Sequence, residues 1–199
     1  MVQNLLPPGQ KYVKRFIVYA ELGVPDINIG EYKLIISGNV KNKLELTYEQ
    51  LKSFSNYKLQ TDFHCVTGWS VKDVVWEGIP FKYIIEKAQP FEDTKWVYFV
   101  SIDGYTSVVP YEDVKGDDAL LAIYMNGQPL PREHGFPVRP IIAHLYGWKS
   151  AKWLSEIHFI KDYIDGYWEE RGYHERGNVW EEERFKGMIG RHTRRRPLL

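Results

Sequence analysis

Short runs of apolar and β-branched residues, broken by glycine and proline, make up most of this chain and predict a β-rich fold. β-Branched and aromatic side chains favour strands, whereas glycine and proline mark the turns between them. Asp103-Gly104 and Asn126-Gly127 are typical of tight hairpin turns, and Glu77-Gly78 predicts a further turn. The predicted strands span residues 32–38, 57–65, 74–76, 96–101, 106–109, 119–125, 138–143 and 154–160.

Two short helices are predicted between these strands. Thr47 and Gln50 form a capping-box pattern for a helix that ends near Phe54. Pro80 is a favourable first residue for a second helix, which continues through Ala88. Because strands do not alternate with long helices, the pattern argues against a doubly wound parallel sheet. It predicts an α+β fold with β-rich mixed sheets and short helices.

The sequence shows no boundary between domains. No repeat, low-complexity block or linker divides the 199 residues, so we predict a single domain over residues 1–199. From about Asp162 the chain becomes aromatic and charged without a clear period. We expect this C-terminal tail to wrap across the body of the domain and to carry function. The basic segment 191–196 is typical of a solvated terminus.

Composition and charge exclude several classes of partner. Lys+Arg and Asp+Glu number 26 each, so the net charge gives no reason to expect nucleic acid or an anionic membrane. No apolar run approaches the roughly 18 residues that a membrane span needs. The first residues show no basic region followed by an apolar stretch, and the chain has one cysteine. We therefore expect a cytoplasmic protein.

That one cysteine, Cys65, is the first candidate for chemistry. A lone thiol cannot form an intrachain disulfide or a cysteine-rich zinc site. It is compatible with a buried core side chain, a nucleophile, or a single soft ligand to a metal. A thiol enzyme with the adjacent His64 as base is not favoured, because neighbouring side chains on a strand point to opposite faces.

Two further segments are suited to an anionic ligand. The ammonium groups of Lys149 and Lys152 flank Ser150 on a glycine-opened loop, which suits a phosphate although the glycine spacing of a P-loop is missing. Upstream, His134 and Arg139 flank a proline that leads into a strand, so they could converge on the same ligand. Each of these residues alone is also compatible with a structural role.

Taken together, residues 119–139 and 147–153 closely resemble the molybdopterin-binding domain of the sulfite oxidase family, which also includes the catalytic subunit of a periplasmic methionine-sulfoxide reductase. The resemblance runs from about residue 32 to 173, and residues 64–70 look like those of a small soluble branch. It implies the sulfite oxidase molybdopterin-binding fold. It also implies a molybdenum-molybdopterin oxidoreductase that transfers an oxygen atom, or two electrons with water, at a small-molecule substrate.

The resemblance implies a role for each matching residue. Cys65 would be the one protein ligand to molybdenum, and Tyr173 the active-site tyrosine that donates a hydrogen bond or proton. His134 and Arg139 match the pair that contacts the pterin, and residues 150–152 match the triplet that holds its phosphate. The implied cofactor-binding residues are Tyr19, Asp103, His134, Arg139, Lys149, Ser150, Ala151 and Lys152.

Departures from the family pattern bear on substrate and partners. Ser70 stands where sulfite oxidases carry a sulfite-binding arginine, and an anion needs compensating charge in a desolvated site, so sulfite is not implied. No export signal is visible, so methionine sulfoxide is not implied either. No haem or dimerisation domain is recognisable, so we expect a separate electron-transfer partner. The alternative is a carrier that holds molybdopterin without turnover, for which Tyr173 would be dispensable.

Overall fold

The computed structural model describes residues 6–187; residues 1–5 and 188–199, including the basic segment 191–196, lie outside the described residues. The strands are β1 (Lys11–Val13), β2 (Lys33–Gly38), β3 (Leu44–Thr47), β4 (Tyr57–His64), β5 (Trp69–Pro80), β6 (Trp96–Ser101), β7 (Thr106–Pro110), β8 (Ala119–Met125), β9 (Gln128–Pro129), β10 (Arg139–Ile142) and β11 (Leu154–Ile160). The α-helices are α1 (Tyr48–Phe54) and α2 (Phe81–Ala88). Short 3₁₀ turns span Tyr111–Val114, Arg132–His134, Gly147–Lys149 and Glu169–Arg171.

The strands form two mixed sheets. In the first sheet, β5 pairs antiparallel with β4 and β8 and parallel with β1, and β8 continues to β9 and β10. The second sheet has the order β3-β2-β11-β6-β7, in which β2 and β11 are parallel. This arrangement confirms the predicted α+β class with mixed sheets and short helices. Among the described residues, no helix has the length and apolarity needed to cross a membrane.

The largest difference from the predicted elements lies in β5. The pattern predicts a short strand over residues 74–76 and a turn at Glu77-Gly78, but the structure has one strand from residue 69 to 80. Gly78 lies at a register shift opposite β8, where an added Cβ would be 1.9 Å from the carbonyl oxygen of Leu121. Glycine is therefore needed for the close approach of two strands, which the single sequence does not distinguish from a turn.

Strand β8 carries the core on both of its faces. Leu121 and Ile123 pack into the main apolar cluster, which joins residues of both sheets and α2. Leu120 and Ala122 pack on the opposite face into a second cluster around Trp76. Burial on both faces explains why the run over residues 119–125 is continuously apolar instead of alternating. The second cluster also holds Phe16 and Phe63, two side chains that line the cavity described below.

The tail after β11 is attached to the segment that follows β10. Tyr146 N–H donates to the Gly177 carbonyl at 2.9 Å, and Val179 N–H donates to the His144 carbonyl at 3.0 Å. Farther along, Arg184 Nη2 donates to the Pro8 carbonyl at 3.1 Å, so the tail also contacts the start of the described chain. These contacts fit a tail that crosses the body of the domain, although the single-domain assignment over residues 1–199 stays a prediction.

A cluster of charged side chains reinforces this attachment. His144 Nδ1 lies 2.6 Å from Asp118 Oδ2, and its Nε2 lies 3.3 Å from Asp113 Oδ1. Asp113 also accepts from Nε and Nη2 of Arg176, both at 2.9 Å. Burial alone would lower the pKa of His144, but the hydrogen bonds and charges of the two carboxylates more than offset it and raise this pKa to about 9.

We expect His144→Gln to destabilise the protein more at about pH 6 than at about pH 10. Because the folded-state pKa is raised, the imidazolium contributes stability that is fully present below the unfolded value of 6.5 and is lost as pH rises through about 9. The shift corresponds to no more than about 3 kcal/mol. Urea unfolding of wild type and variant at both pH values measures the effect. An equal cost at the two pH values would show that the charge of His144 does not contribute.

Candidate active site

A cavity of about 470 Å³ brings together most of the predicted site residues. It is lined by the turn after β4, the hairpin turn between β6 and β7, the start of β10 and the segment before β11. These segments are far apart in the chain, so the convergence is produced by the fold. The predicted residues that line the cavity are Tyr19, Cys65, Asp103, His134, Arg139, Ser150, Lys152 and Tyr173.

Cys65 is presented to this cavity by a tight turn. Its N–H donates to the Trp69 carbonyl at 2.9 Å, and its own carbonyl accepts from Gly68 N–H at 3.0 Å. Gly68 has a φ of 96°, a conformation that glycine adopts without steric cost. The thiol is half-buried, and its Sγ lies 3.2 Å from Thr67 Oγ1. Cys65 is therefore a wall residue of the cavity and not a core side chain.

The neighbouring His64 takes part in a different hydrogen-bond network. Its Nδ1 lies 2.7 Å from Ser70 Oγ, and Ser70 Oγ donates to Gln10 Oε1 at 2.9 Å. Gln10 Nε2 in turn donates to the Cys65 carbonyl at 3.1 Å. Because the single hydroxyl proton of Ser70 goes to Gln10, His64 must donate through Nδ1. Neither His64 nor Ser70 lines the cavity, so His64 is not placed as a base for the thiol.

Arg139 is a buried guanidinium held by neutral oxygens. It is 4% exposed, and its Nε and Nη2 donate to Ser150 Oγ at 2.9 Å and to the Ser150 carbonyl at 3.0 Å. Nη1 donates to the His134 carbonyl at 2.8 Å. In the part of the chain that the structure describes, Arg139 forms no ion pair with a carboxylate. Burial lowers the pKa of Arg139 to about 9 because this charge is not compensated.

Two more basic side chains lie on the same wall. Burial and the charge of Arg139 lower the pKa of His134, and the same two causes lower the pKa of Lys152 to about 8. Lys152 Nζ donates to the carbonyls of Tyr19 and Glu133, at 2.6 and 3.0 Å. Like charges held together in a desolvated wall are relieved when an anion binds between them. This anion-binding wall, made by Arg139, His134, Lys152 and Ser150, is thus suited to a phosphate.

Only every second residue of the segment 148–152 faces the cavity. Lys149 and Ala151 are buried and do not line the cavity. The ammonium of Lys149 pairs with Glu169 and donates to the Val108 carbonyl at 2.7 Å. The structure therefore does not bring Lys149 and Ala151 to the cavity, whereas it does bring their neighbours there.

Asp103 reaches the cavity from the hairpin turn between β6 and β7. Its Oδ1 accepts from Tyr105 N–H at 3.1 Å, and burial raises the pKa of Asp103. Tyr105 also lines the cavity, and its hydroxyl donates to the Trp148 carbonyl at 2.5 Å. The hairpin predicted from Asp103-Gly104 thus has a second role, because it carries a carboxylate into the cavity and fixes the segment beside it.

An aromatic wall closes the cavity on the side of Cys65. The ring of Tyr173 packs against Trp148 and Trp168, with centroids 5.1 and 5.0 Å apart, and the same cluster includes Val66. Burial raises the pKa of Tyr173, and the electrostatic influence of the neighbouring Cys65 adds to the rise. The phenol is therefore protonated at neutral pH and can donate a hydrogen bond into the cavity.

The segment 16–21 lines the cavity, and Tyr19 is its one residue that the sequence analysis assigned to the site. Phe16 packs against His134 and Phe63, with centroids 5.0 and 5.2 Å apart. Glu21 also lines the cavity, and it accepts hydrogen bonds from the hydroxyl of Tyr19 and, at 3.5 Å, from that of Tyr167. This segment forms neither a helix nor a strand, so the spacing of its apolar residues did not predict an element there. The sequence feature that could have indicated it is a short apolar run next to an aromatic residue.

The chain is similar to known proteins in its sequence and its fold. A family model described as "Oxidoreductase molybdopterin binding domain" matches residues 21–168. The chain is 41% identical over 181 residues to "Uncharacterized oxidoreductase YuiH" of Bacillus subtilis, covering 90% of this chain and 91% of that protein. It is 30% identical to the protein-methionine-sulfoxide reductase catalytic subunit MsrP of Campylobacter jejuni, over 72% of this chain and 54% of that protein.

One more distant relative and one solved structure extend the comparison. The chain is 30% identical to the mitochondrial sulfite oxidase of Drosophila melanogaster, over 79% of this chain and 32% of that protein. Among solved structures, the sulfane dehydrogenase SoxCD of Paracoccus pantotrophus superposes with a TM-score of 0.64 at 23% identity, over 70% of this chain and 41% of that one. The chain thus spans most of the Bacillus protein but only 54% of the reductase and 32% of the sulfite oxidase.

Proposed function

The chain belongs to the oxidoreductase molybdopterin-binding domain family, and from this premise we propose that it transfers an oxygen atom, or two electrons with water, at a small uncharged substrate. Family membership confirms the predicted enzyme class, the predicted molybdenum-molybdopterin cofactor and, with the structural match, the predicted sulfite oxidase-like fold. The observation that carries the proposal is one cavity that holds both the thiol of Cys65 and the uncompensated guanidinium of Arg139.

The residues present fit this cofactor. Arg139 and Lys152 repel each other in a desolvated wall, and burial and the charge of Arg139 lower the pKa of His134 beside them; the phosphate of a pterin would relieve that repulsion. Ser150 adds a hydroxyl on the same wall. When bound, the cofactor supplies a metal that exchanges two electrons, chemistry that side chains cannot provide. Cys65 would hold the metal, because a thiolate is the soft ligand that the cavity offers.

The remaining residues of the cavity wall determine how the substrate would be bound. Tyr173 keeps its proton and would donate a hydrogen bond to the substrate, while Trp148 and Trp168 pack against its ring and hold it in place. Ser70, at the position of the sulfite-binding arginine, is fully buried and bonded to Gln10, so it brings no charge to the substrate. These features support an uncharged substrate over an anion such as sulfite.

The proposed reaction also needs a partner for electrons. In the oxidising direction, substrate and water give oxidised substrate, two protons and two electrons; the reducing direction is the reverse. We propose that a separate protein carries those electrons. Relatives named as subunits support this, namely the catalytic subunit MsrP and a putative methionine-sulfoxide reductase subunit, YedZ1, of Azospira oryzae. A cytoplasmic location is proposed on the single cysteine, and cell fractionation tests it.

Turnover by the molybdenum-loaded protein tests the proposed function. The protein is expressed in a molybdopterin-competent host and assayed with a reduced viologen dye and neutral S-oxides or N-oxides, and separately with sulfite and ferricyanide. We expect turnover of a neutral oxide, none of sulfite, and a kcat about 100-fold lower in Tyr173→Phe. Full loading without turnover of any substrate would favour the carrier, and sulfite oxidation would contradict the uncharged substrate.

A further inference from the structure

Lys149 and Glu169 form an ion pair that is closed off from solvent, with side chains 1% and 0% exposed. Besides Glu169, the ammonium donates to the Val108 carbonyl at 2.7 Å and to the Glu175 carbonyl at 2.5 Å, so each of its three N–H groups has an acceptor. Burial of such a pair carries a large desolvation cost, and apolar side chains would stabilise the same place at least as well. The pair therefore calls for a role besides stability.

The pair links the anion-binding wall to the aromatic wall. Lys149 follows Trp148 directly, on the segment that carries the anion-binding residues. Glu169 follows Trp168 and begins the 3₁₀ turn that leads to Tyr173. Glu169 Oε1 accepts from Trp148 Nε1 at 3.2 Å as well as from Lys149. One carboxylate oxygen thus holds two consecutive residues of the cavity segment.

The backbone of the tail transmits this anchor to Tyr173. Gly172 N–H donates to the Glu169 carbonyl at 3.1 Å, and Tyr173 N–H donates to the Trp168 carbonyl at 3.0 Å. The ring of Tyr173 meets that of Trp148 edge to face, with centroids 5.1 Å apart. A change in the position of Glu169 therefore displaces both the backbone and the ring contacts of Tyr173.

The orientation of the carboxylate depends on these two donors. Glu169 Oε2 is buried and, among the described residues, has no hydrogen-bond partner. It lies against the backbone at Gly166, where an added Cβ would be 2.7 Å away. Since Oε2 is not held by a donor, the side chain is oriented by what Lys149 and Trp148 donate to Oε1. Removal of the ammonium releases the main constraint.

We propose that Lys149 and Glu169 are positioning residues for Tyr173, and that they hold its phenol at the cavity wall beside Cys65. The inference rests on the proposed function in one respect, that Tyr173 acts on the substrate from this place. It assigns to Lys149 a role different from the phosphate contact that the family resemblance implies.

Fluorine NMR of the full chain labelled with 3-fluorotyrosine tests the position of Tyr173 directly. The chain has 14 tyrosines, and the Tyr173 resonance is identified by its loss in Tyr173→Phe. Because this ring packs against Trp148, Trp168 and Phe185, its resonance is sensitive to small movements. We expect Lys149→Met and Glu169→Gln to shift it. Lys161→Met is the control, because it breaks an exposed ion pair with Asp93 at 2.5 Å and should leave the resonance in place.

A double variant covers the case in which an unpaired buried charge prevents folding. Lys149→Met combined with Glu169→Met removes both charges together, which restores stability but not the oriented contact, so the Tyr173 resonance should still shift. In the loaded enzyme we expect kcat to fall about tenfold with KM unchanged, and no further fall when Tyr173→Phe is already present. An unmoved resonance in the folded variants overturns the inference. Failure to bind molybdenum or turn over would count against the proposed function alone, because the NMR result does not depend on it.

Discussion

Cys65→Ser is expected to abolish turnover while the pterin stays bound. The thiol lines the cavity beside the aromatic wall, and among residues 6–187 it is the one soft side-chain ligand there. A serine hydroxyl is a harder ligand and does not ionise near neutral pH, so it cannot replace a thiolate at the metal. The anion-binding wall is untouched by this change. Metal and pterin analysis, with the thiolate-to-metal charge-transfer absorption, measures the two effects separately.

A neighbouring variant separates the ligand role from the shape of the turn. Thr67→Ala removes the hydroxyl that lies 3.2 Å from Cys65 Sγ and leaves the backbone of the turn intact. We expect it to keep the absorption band and most of the turnover. A Cys65→Ser protein with an unchanged spectrum and full activity would contradict the ligand role. Metal-free wild type with a readily alkylated thiol would instead favour a nucleophile.

Arg139→Met is expected to prevent stable binding of the cofactor. The guanidinium is the central charge of the anion-binding wall, and its three hydrogen bonds to Ser150 and His134 orient it toward the cavity. Loss of one partner of a buried, hydrogen-bonded charge pair costs about 2–5 kcal/mol, or roughly 30-fold or more in affinity. Pterin and molybdenum content of the purified protein should fall together, in contrast to the Cys65 variant.

Two further variants and the addition of phosphate test whether the charge and shape of Arg139 are needed for cofactor binding. Arg139→Lys keeps the charge but loses the planar fork, so we expect an intermediate cofactor content. Arg132→Met, which breaks an exposed ion pair with Asp26 at 3.0 Å, should bind as wild type does. Inorganic phosphate should raise the Tm of cofactor-free wild type but not that of Arg139→Met. Full cofactor content in a folded Arg139→Met protein would exclude the proposed anion-binding wall.

Local elements were predictable because short-range physics decides them. The capping box at Thr47 and Gln50 is confirmed by reciprocal hydrogen bonds of 2.9 and 3.3 Å. The turn at Asn126-Gly127 has φ values of 52° and 76°, which these two residue types tolerate better than others. In both cases the interacting residues lie within four positions of each other, so the local sequence alone is enough to predict the interaction.

Elements that depend on distant partners were not predictable in the same way. Gly78 reads as a turn residue, but the neighbouring strand requires it, since a Cβ would meet the Leu121 carbonyl at 1.9 Å. Strand β1 is three residues long and is stabilised by its parallel pairing with β5. The residues of β1 alone do not predict that pairing. Lys149 and Lys152 look equivalent in sequence, yet only Lys152 faces the cavity.

The sequence by itself determined the chemical inventory: one soft thiol, a set of basic side chains with a hydroxyl on one segment, and a tyrosine in an aromatic tail. Only the tertiary structure decided which of these groups meet, because burial and pairing depend on segments that are remote in the chain. Tertiary contacts leave the charge of Arg139 uncompensated beside the cavity, and they neutralise that of Lys149 against Glu169. A charge becomes a binding group or a structural one according to its desolvation and its partners, and both are properties of the folded chain.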